Sequence, residues 1–150
     1  MHEFVQNTFL GTINNFNTAI VDGKFPASGS FIAAQPYSWI TFLIRVGTLN
    51  SALTVQLQQD SGVTQTGSIK NAFGVTTVKV IAADDDNELV FIEAQVKAAL
   101  DIGGAFTHLT LDITGAGGGD DYLDIIYLGC HAKTMPVTQA ATTTGIVIAG

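Results

Sequence analysis

The chain predicts an all-β fold, and three observations carry that expectation. Ser38 to Gln59 forms two extended arms: Ile40, Phe42, Ile44 and Val46 fall on one face of the first, and Leu53, Val55 and Leu57 alternate with Thr54, Gln56 and Gln58 in the second. A period of two carried by β-branched and aromatic residues is the signature of a strand. Similar short apolar runs recur along the chain between Gly, Asn, Asp and Pro breakers, the cadence of a sandwich or barrel. Only Glu93 to Asp101 is rich in helix formers, and it stops before Gly103-Gly104, so one short helix around Val96 to Leu100 is expected at the end of a strand.

The elements follow in order. Residues 1–15 are polar and Asn-rich with scattered Phe4, Val5, Phe9, Leu10 and Ile13, and read as an N-terminal arm that docks on something. A single domain is expected over 16–150, since domains usually run about 100–200 residues. Its strands are predicted at Asn17–Val21, Gly29–Ala33, Ser38–Val46, Leu53–Gln59, Thr76–Ile81, Leu89–Gln95, Phe106–Thr114, Leu123–Lys133 and Ile146–Ala149. Gly, Asn and Ser between the two arms of Ser38 to Gln59, residues 47–51, read as the turn of a hairpin. Segment 134–150 is an extended C-terminal stretch whose last apolar run, Gly145 to Gly150, is suited to closing a sheet or pairing with a neighbour.

Strand periodicity also assigns faces. Leu109, Leu111 and Ile113 point one way, and His108, Thr110 and Asp112 the other, the pattern of a sheet packed on one face and wet on the other. Trp39, Leu43 and Leu128 instead fall on faces that should be outer. Apolar residues on both faces of a strand mark a central strand or an interface.

Composition points the same way. Charged residues make up 13% of the chain, about half the usual share, so the surface is left to Thr, Asn, Gln, Ser, Ala and Gly, which favours close association between subunits. The net charge is −7 and the six Lys and Arg stand singly, so no basic cluster exists to neutralise nucleic-acid phosphates. The first residues lack a basic stretch leading into a long apolar run, so no signal peptide is predicted. No run approaches 18 apolar residues, so no membrane-spanning helix is predicted. One cysteine, Cys130, excludes an intrachain disulfide; it reads as a small buried apolar residue and suits a reducing compartment.

Chemistry-bearing clusters are few. Asp84-Asp85-Asp86-Asn87-Glu88 crowds hard oxygen ligands on one turn but lacks the spaced loop and distant bidentate Glu of a calcium site, so it reads as a solvated turn. Gly117-Gly118-Gly119-Asp120-Asp121 leads into a strand and carries carboxylates, not a Lys, so it reads as a hairpin tip and not a phosphate cradle. Asp84, Asp85, Asp86, Asp120 and Asp121 are the residues a shared cation would use; no metal or other cofactor is expected. Cys130, His108 and Asp112 are the makings of a nucleophilic triad, but His108 and Asp112 lie about 13 Å apart along one strand, too far for the hydrogen bond that orients a base. No enzyme is predicted.

One family resemblance extends the reading. Ile40-Thr-Phe-Leu-Ile-Arg-Val-Gly47, then Leu53 to Gln59, Gly67 to Ala72, the Asp84–Asp86 turn and Phe106 to Thr114 together resemble head decoration proteins, also called cement or minor capsid proteins, of tailed double-stranded DNA bacteriophages. The resemblance covers residues 36–133 and is a pattern of strands and turns, not a catalytic signature. It implies a jelly-roll-like β-sandwich on the outer surface of a capsid, made in the host cytoplasm. It also implies a homo-oligomer, a trimer, that clamps neighbouring copies of the major capsid protein against internal DNA pressure. Phe4, Phe9, Leu10, Tyr37 and Trp39 are then the expected interface residues. The alternatives are a head–tail connector, tail or fibre subunit of the same virion, or a carbohydrate-binding sandwich stacking sugars on Trp39, Tyr37 and Tyr122.

Overall fold

Ten strands, among the residues described, pair into two antiparallel sheets whose inner faces share one core. The computed structural model describes residues 9–14, 18–65, 69–74, 77–117 and 119–132. The strands are β1 (Phe9–Asn14), β2 (Gly23–Phe25), β3 (Ile32–Ala33), β4 (Trp39–Val46), β5 (Leu53–Asp60), β6 (Lys70–Asn71), β7 (Lys79–Ile81), β8 (Leu89–Gln95), β9 (His108–Thr114) and β10 (Leu123–Cys130). The four-stranded sheet has the order β1-β10-β4-β8; the other has β2-β9-β5-β6, with β3 also on β9 and β7 also on β5. The all-β sandwich with one short helix, α1 (Val96–Ala99), is therefore what the chain forms.

The pairings nest. β1 pairs β10, β2 and β3 pair β9, β4 pairs β8, and β5 pairs β6 and β7. The chain is thus one long antiparallel ribbon folded near the β5–β6 connection. Two further ladders, β10–β4 and β9–β5, form where the ribbon winds over itself and divides into two sheets.

That winding overturns the hairpin expected over Ser38 to Gln59. β4 and β5 lie in different sheets and share no ladder. Their apolar faces meet across the core: Ile40, Phe42, Ile44 and Val46 from one side and Leu53, Val55 and Leu57 from the other are all fully buried. The connection between them is bonded to other loops instead of closing on itself. Gly47 N donates to Tyr122 O at 2.8 Å, Tyr122 N to Thr48 O at 2.9 Å, and Leu49 N to Asp86 Oδ1 at 2.9 Å.

Smaller differences have local causes. Part of the expected arm, Phe9–Asn14, is the edge strand β1, because Leu10 and Thr12 find Leu128 and Ile126 opposite them. The strand expected at Asn17–Val21 is reduced to a single bridge, Ala19 to Tyr122, among its described residues. The two- and three-residue strands β2 and β6 were too short to show a period of two. Phe4, Lys133, the stretch 134–150 and its predicted strand Ile146–Ala149 lie outside the described residues.

Glycine decides one corner. A Cβ on Gly11 would stand 2.2 Å from the Tyr127 ring, and one on Gly129 would stand 2.8 Å from the Tyr37 ring. The two rings lie over bare backbone, with Phe9 at 5.5 Å from Tyr127 and 6.2 Å from Tyr37 between centroids.

Phe42 is the largest fully buried side chain, so Phe42→Ala should cost about 3–5 kcal/mol. Urea unfolding would read it as a lower midpoint with an unchanged m value.

Candidate functional site

Each sheet keeps one face away from the core, and the two outer faces differ in chemistry. On the four-stranded sheet the register builds rows across all four strands. Thr12, Ile126, Leu43 and Phe91 form one, and Leu10, Leu128, Thr41 and Glu93 the next. The flanking rows are Asp124–Arg45–Leu89 and Cys130–Trp39–Gln95. Large apolar side chains dominate the centre, and at the β8 edge Phe91 and Leu89 are 62% and 56% exposed. A contiguous apolar patch of this kind marks a contact surface.

The other outer face is polar. Lys24 Nζ and Asp112 Oδ2 form an ion pair at 2.8 Å, and Gln58 Nε2 donates to Asp112 Oδ2, Gln56 Oε1 and Asn71 Oδ1 at 3.1 to 3.3 Å. The face is not uniformly wet, as periodicity had suggested. Thr110 is fully buried, its hydroxyl donating to Pro26 O at 2.9 Å. Gln58 Oε1 is the buried side-chain atom left without a partner among the described residues.

The acidic turns do structural work. Asp86 Oδ1 accepts from Leu49 N, and Asp121 Oδ1 accepts from the adjacent Asn50 N at 2.7 Å. Asp121 Oδ2 accepts from Gly117 N at 2.6 Å, and Asp85 Oδ2 accepts from Ala82 N at 2.8 Å. The two turns therefore converge on the β4–β5 connection, holding backbone N–H groups there, while Asp84 and Asp120 stay exposed. Among the described residues no group of three His, Cys, Asp or Glu is placed to hold a metal ion.

The expected interface residues divide. Leu10 and Trp39 lie on the apolar outer face, whereas Phe9 and Tyr37 pack with Tyr127 at one corner of the core. Burial raises the Tyr37 hydroxyl, and pushes Tyr127 up to about 12 with Tyr37 adding to the rise. Tyr122 lies at the far end of β10 from Trp39, so the three aromatics do not form one stacking platform. A groove of about 620 Å3 at Tyr37 is lined by Tyr37, Val96, Leu100 and Ile102 with Gln95 and Lys97. Leu89 and Phe91 were not singled out from sequence. The unbroken apolar run Leu89-Val-Phe-Ile92 was the available signal, since it leaves apolar side chains on both faces.

The triad residues stay apart. Cys130, expected to be buried, is half-exposed on the apolar face of one sheet, while His108 and Asp112 lie on the other. Burial lowers His108 from its ordinary 6.5, opposed by the charge of Asp60, and its Nδ1 lies 2.7 Å from Thr107 Oγ1. Asp101 is held below the usual carboxylate range first by the hydrogen bond from Lys70, then by the Gly104 N–H.

No family model, curated protein or solved structure matches the chain.

Asp121→Ala strands two backbone N–H groups and should cost about 1–3 kcal/mol in chemical unfolding, while millimolar Ca²⁺ leaves the Tm of the unaltered protein unchanged. His108 has a folded pKa below 6.5, so its contribution is fully present above pH 6.5 and is lost as pH falls from there through the folded value. Unfolding at a series of pH values should show His108→Gln flattening that slope.

Proposed function

We propose that the chain is a virion structural protein, a decoration or cement protein that binds the outer surface of a bacteriophage head as an oligomer and stabilises it without catalysis. The observation that carries this reading is the apolar outer face of the four-stranded sheet, centred on Leu43, Ile126 and Leu128, on a chain whose charged fraction is 13%. A face of that kind is suited to another protein surface and to no small polar substrate.

The nested ladders support a jelly roll as the finer description. Orders β1-β10-β4-β8 and β2-β9-β5-β6, with β2 and β3 sharing one edge and β6 and β7 the other, follow from a single rolled ribbon. Double-sheet jelly rolls recur in viral capsid proteins. The sequence resemblance over 36–133 adds the expected partner, the major capsid protein, and the threefold association.

A mechanical role follows from the construction. A sandwich with two hydrogen-bonded sheets and a dry core deforms little under load. Seated across a seam, it resists outward movement of the subunits on either side.

Electron cryo-microscopy of particles containing the chain tests this directly. Density on the outer shell is the expected result; density confined to the tail or connector would sink the head reading. Ile126→Asp, half-buried on the outer face, should lower head occupancy at least roughly tenfold with little change in Tm, an effect of about 1.4 kcal/mol or more.

A further inference from the structure

We infer that the groove at Tyr37 is a binding site for a small apolar carboxylate, with the ligand's hydrocarbon body on Tyr37, Val96, Leu100 and Ile102 and its carboxylate on Lys97. The site concerns the chain alone and does not rest on the virion reading.

Two segments form the groove, and the end of the β4–β8 ladder brings them together. Val96 N donates to Ser38 O at 2.9 Å, so the turn leading into β4 lies beside α1, which follows β8. The space they leave, about 620 Å3, falls within the roughly 300–1,000 Å3 of small-molecule pockets. Val96 and Leu100 are buried members of the core, and Tyr37 and Ile102 complete the apolar lining.

Ile102 is the informative member. It is 56% exposed, yet the turn that carries it is firmly bonded. Asp101 Oδ1 accepts from Gly104 N at 3.0 Å, Ala105 N donates to Ile102 O at 3.0 Å, and Phe106 N donates to Asp101 O at 3.1 Å. Lys70 holds the Asp101 carboxylate, and Ala105 takes a φ of 62°, left-handed backbone that a residue with a Cβ adopts only at a cost. The turn therefore displays an apolar side chain in a fixed place, and a ligand that covers it pays little to order it.

The groove carries a single charge, and it is positive. Lys97 is exposed and makes no ion pair among the described residues, and no carboxylate is part of the lining. Asp101, the next acid along the chain, is taken by Lys70. Burial raises the Tyr37 hydroxyl, which stays neutral at physiological pH and adds no negative charge. In a chain of net charge −7 this places a cation beside apolar surface with nothing to neutralise it. A neutral apolar ligand would leave Lys97 unused, and an apolar ammonium would be repelled. An apolar carboxylate uses both, and the Gln95 amide in the same lining is a donor for its second oxygen.

NMR titration of the full chain with octanoate tests the site. Amide shifts should centre on Tyr37, Val96, Lys97, Leu100 and Ile102, with a Kd in the millimolar range or tighter. Acetate, which lacks the chain, and octylamine, which reverses the charge, should bind at least roughly fivefold more weakly, with 1-octanol between them and octanoate. Lys97→Gln should weaken octanoate roughly two- to fivefold and leave 1-octanol unchanged. Lys79→Gln, at an exposed cation outside the groove, should change neither. Ile102→Asn should weaken octanoate and 1-octanol together, by roughly three- to tenfold. All three substituted side chains are exposed, so the Tm should hold; if Ile102→Asn fails to fold, the two lysine variants still decide the outcome. No binding at about 10 mM octanoate, shifts centred on Leu43 and Leu128, equal affinity for octanoate and 1-octanol, or octanoate binding indifferent to Lys97→Gln would overturn the inference.

Discussion

Two apolar strand faces, those of Ile40–Val46 and Leu53–Leu57, bury each other by meeting across the core. Paired edge to edge as a hairpin, they would lie side by side on one sheet, and neither would cover the other. An isolated hairpin is marginal in water. Placed in opposite sheets, each covers the other, and the rest of the chain follows from that separation. β8 and β10 extend the first sheet from β4, and β9 extends the second from β5.

The separation creates a demand that the acidic turns meet. A connection that crosses between sheets has backbone N–H groups without ladder partners, and part-buried N–H groups are costly to leave unpaired. Asp86 and Asp121 supply acceptors to Leu49 and Asn50, neighbours in that crossing. Carboxylates that read from sequence as a solvated turn and a hairpin tip are in this way committed to holding two loops against a third. Asp84 and Asp120, which make no such bond, remain at the surface.

Chemistry is then left to the two outer faces, and they diverge. One carries amides joined through Gln58 and an ion pair at Asp112, so its polar groups largely satisfy each other. The other carries Leu, Ile, Phe and Trp in register across four strands, with no loop among the described residues accounting for their exposure at β8. That asymmetry, more than any single residue, is what the proposed assembly role rests on: one face has its polar groups bonded within the subunit, and the other presents apolar side chains.

Much of the fold was legible along the chain because a period of two needs only local sequence. The inner faces of β4, β5 and β9, the limits of β8 and the helix α1 that follows it all lie where their patterns put them. What the chain order could not reveal was which strand pairs with which, since ladder partners such as Ile126 and Leu43 are far apart in sequence and chosen by core closure. The same limit hid the exposure at this edge: Leu89 and Phe91 stand out from the sheet only once β4 has taken the other side of β8. Phe9 and Tyr37, expected at an interface, stack together where Gly11 and Gly129 leave aromatic rings room to lie over the backbone, a packing that chain order does not show. Local alternation therefore determined the strands and their faces, and tertiary closure decided the pairing, because hydrogen-bond partners across a sheet are selected by the burial they make possible.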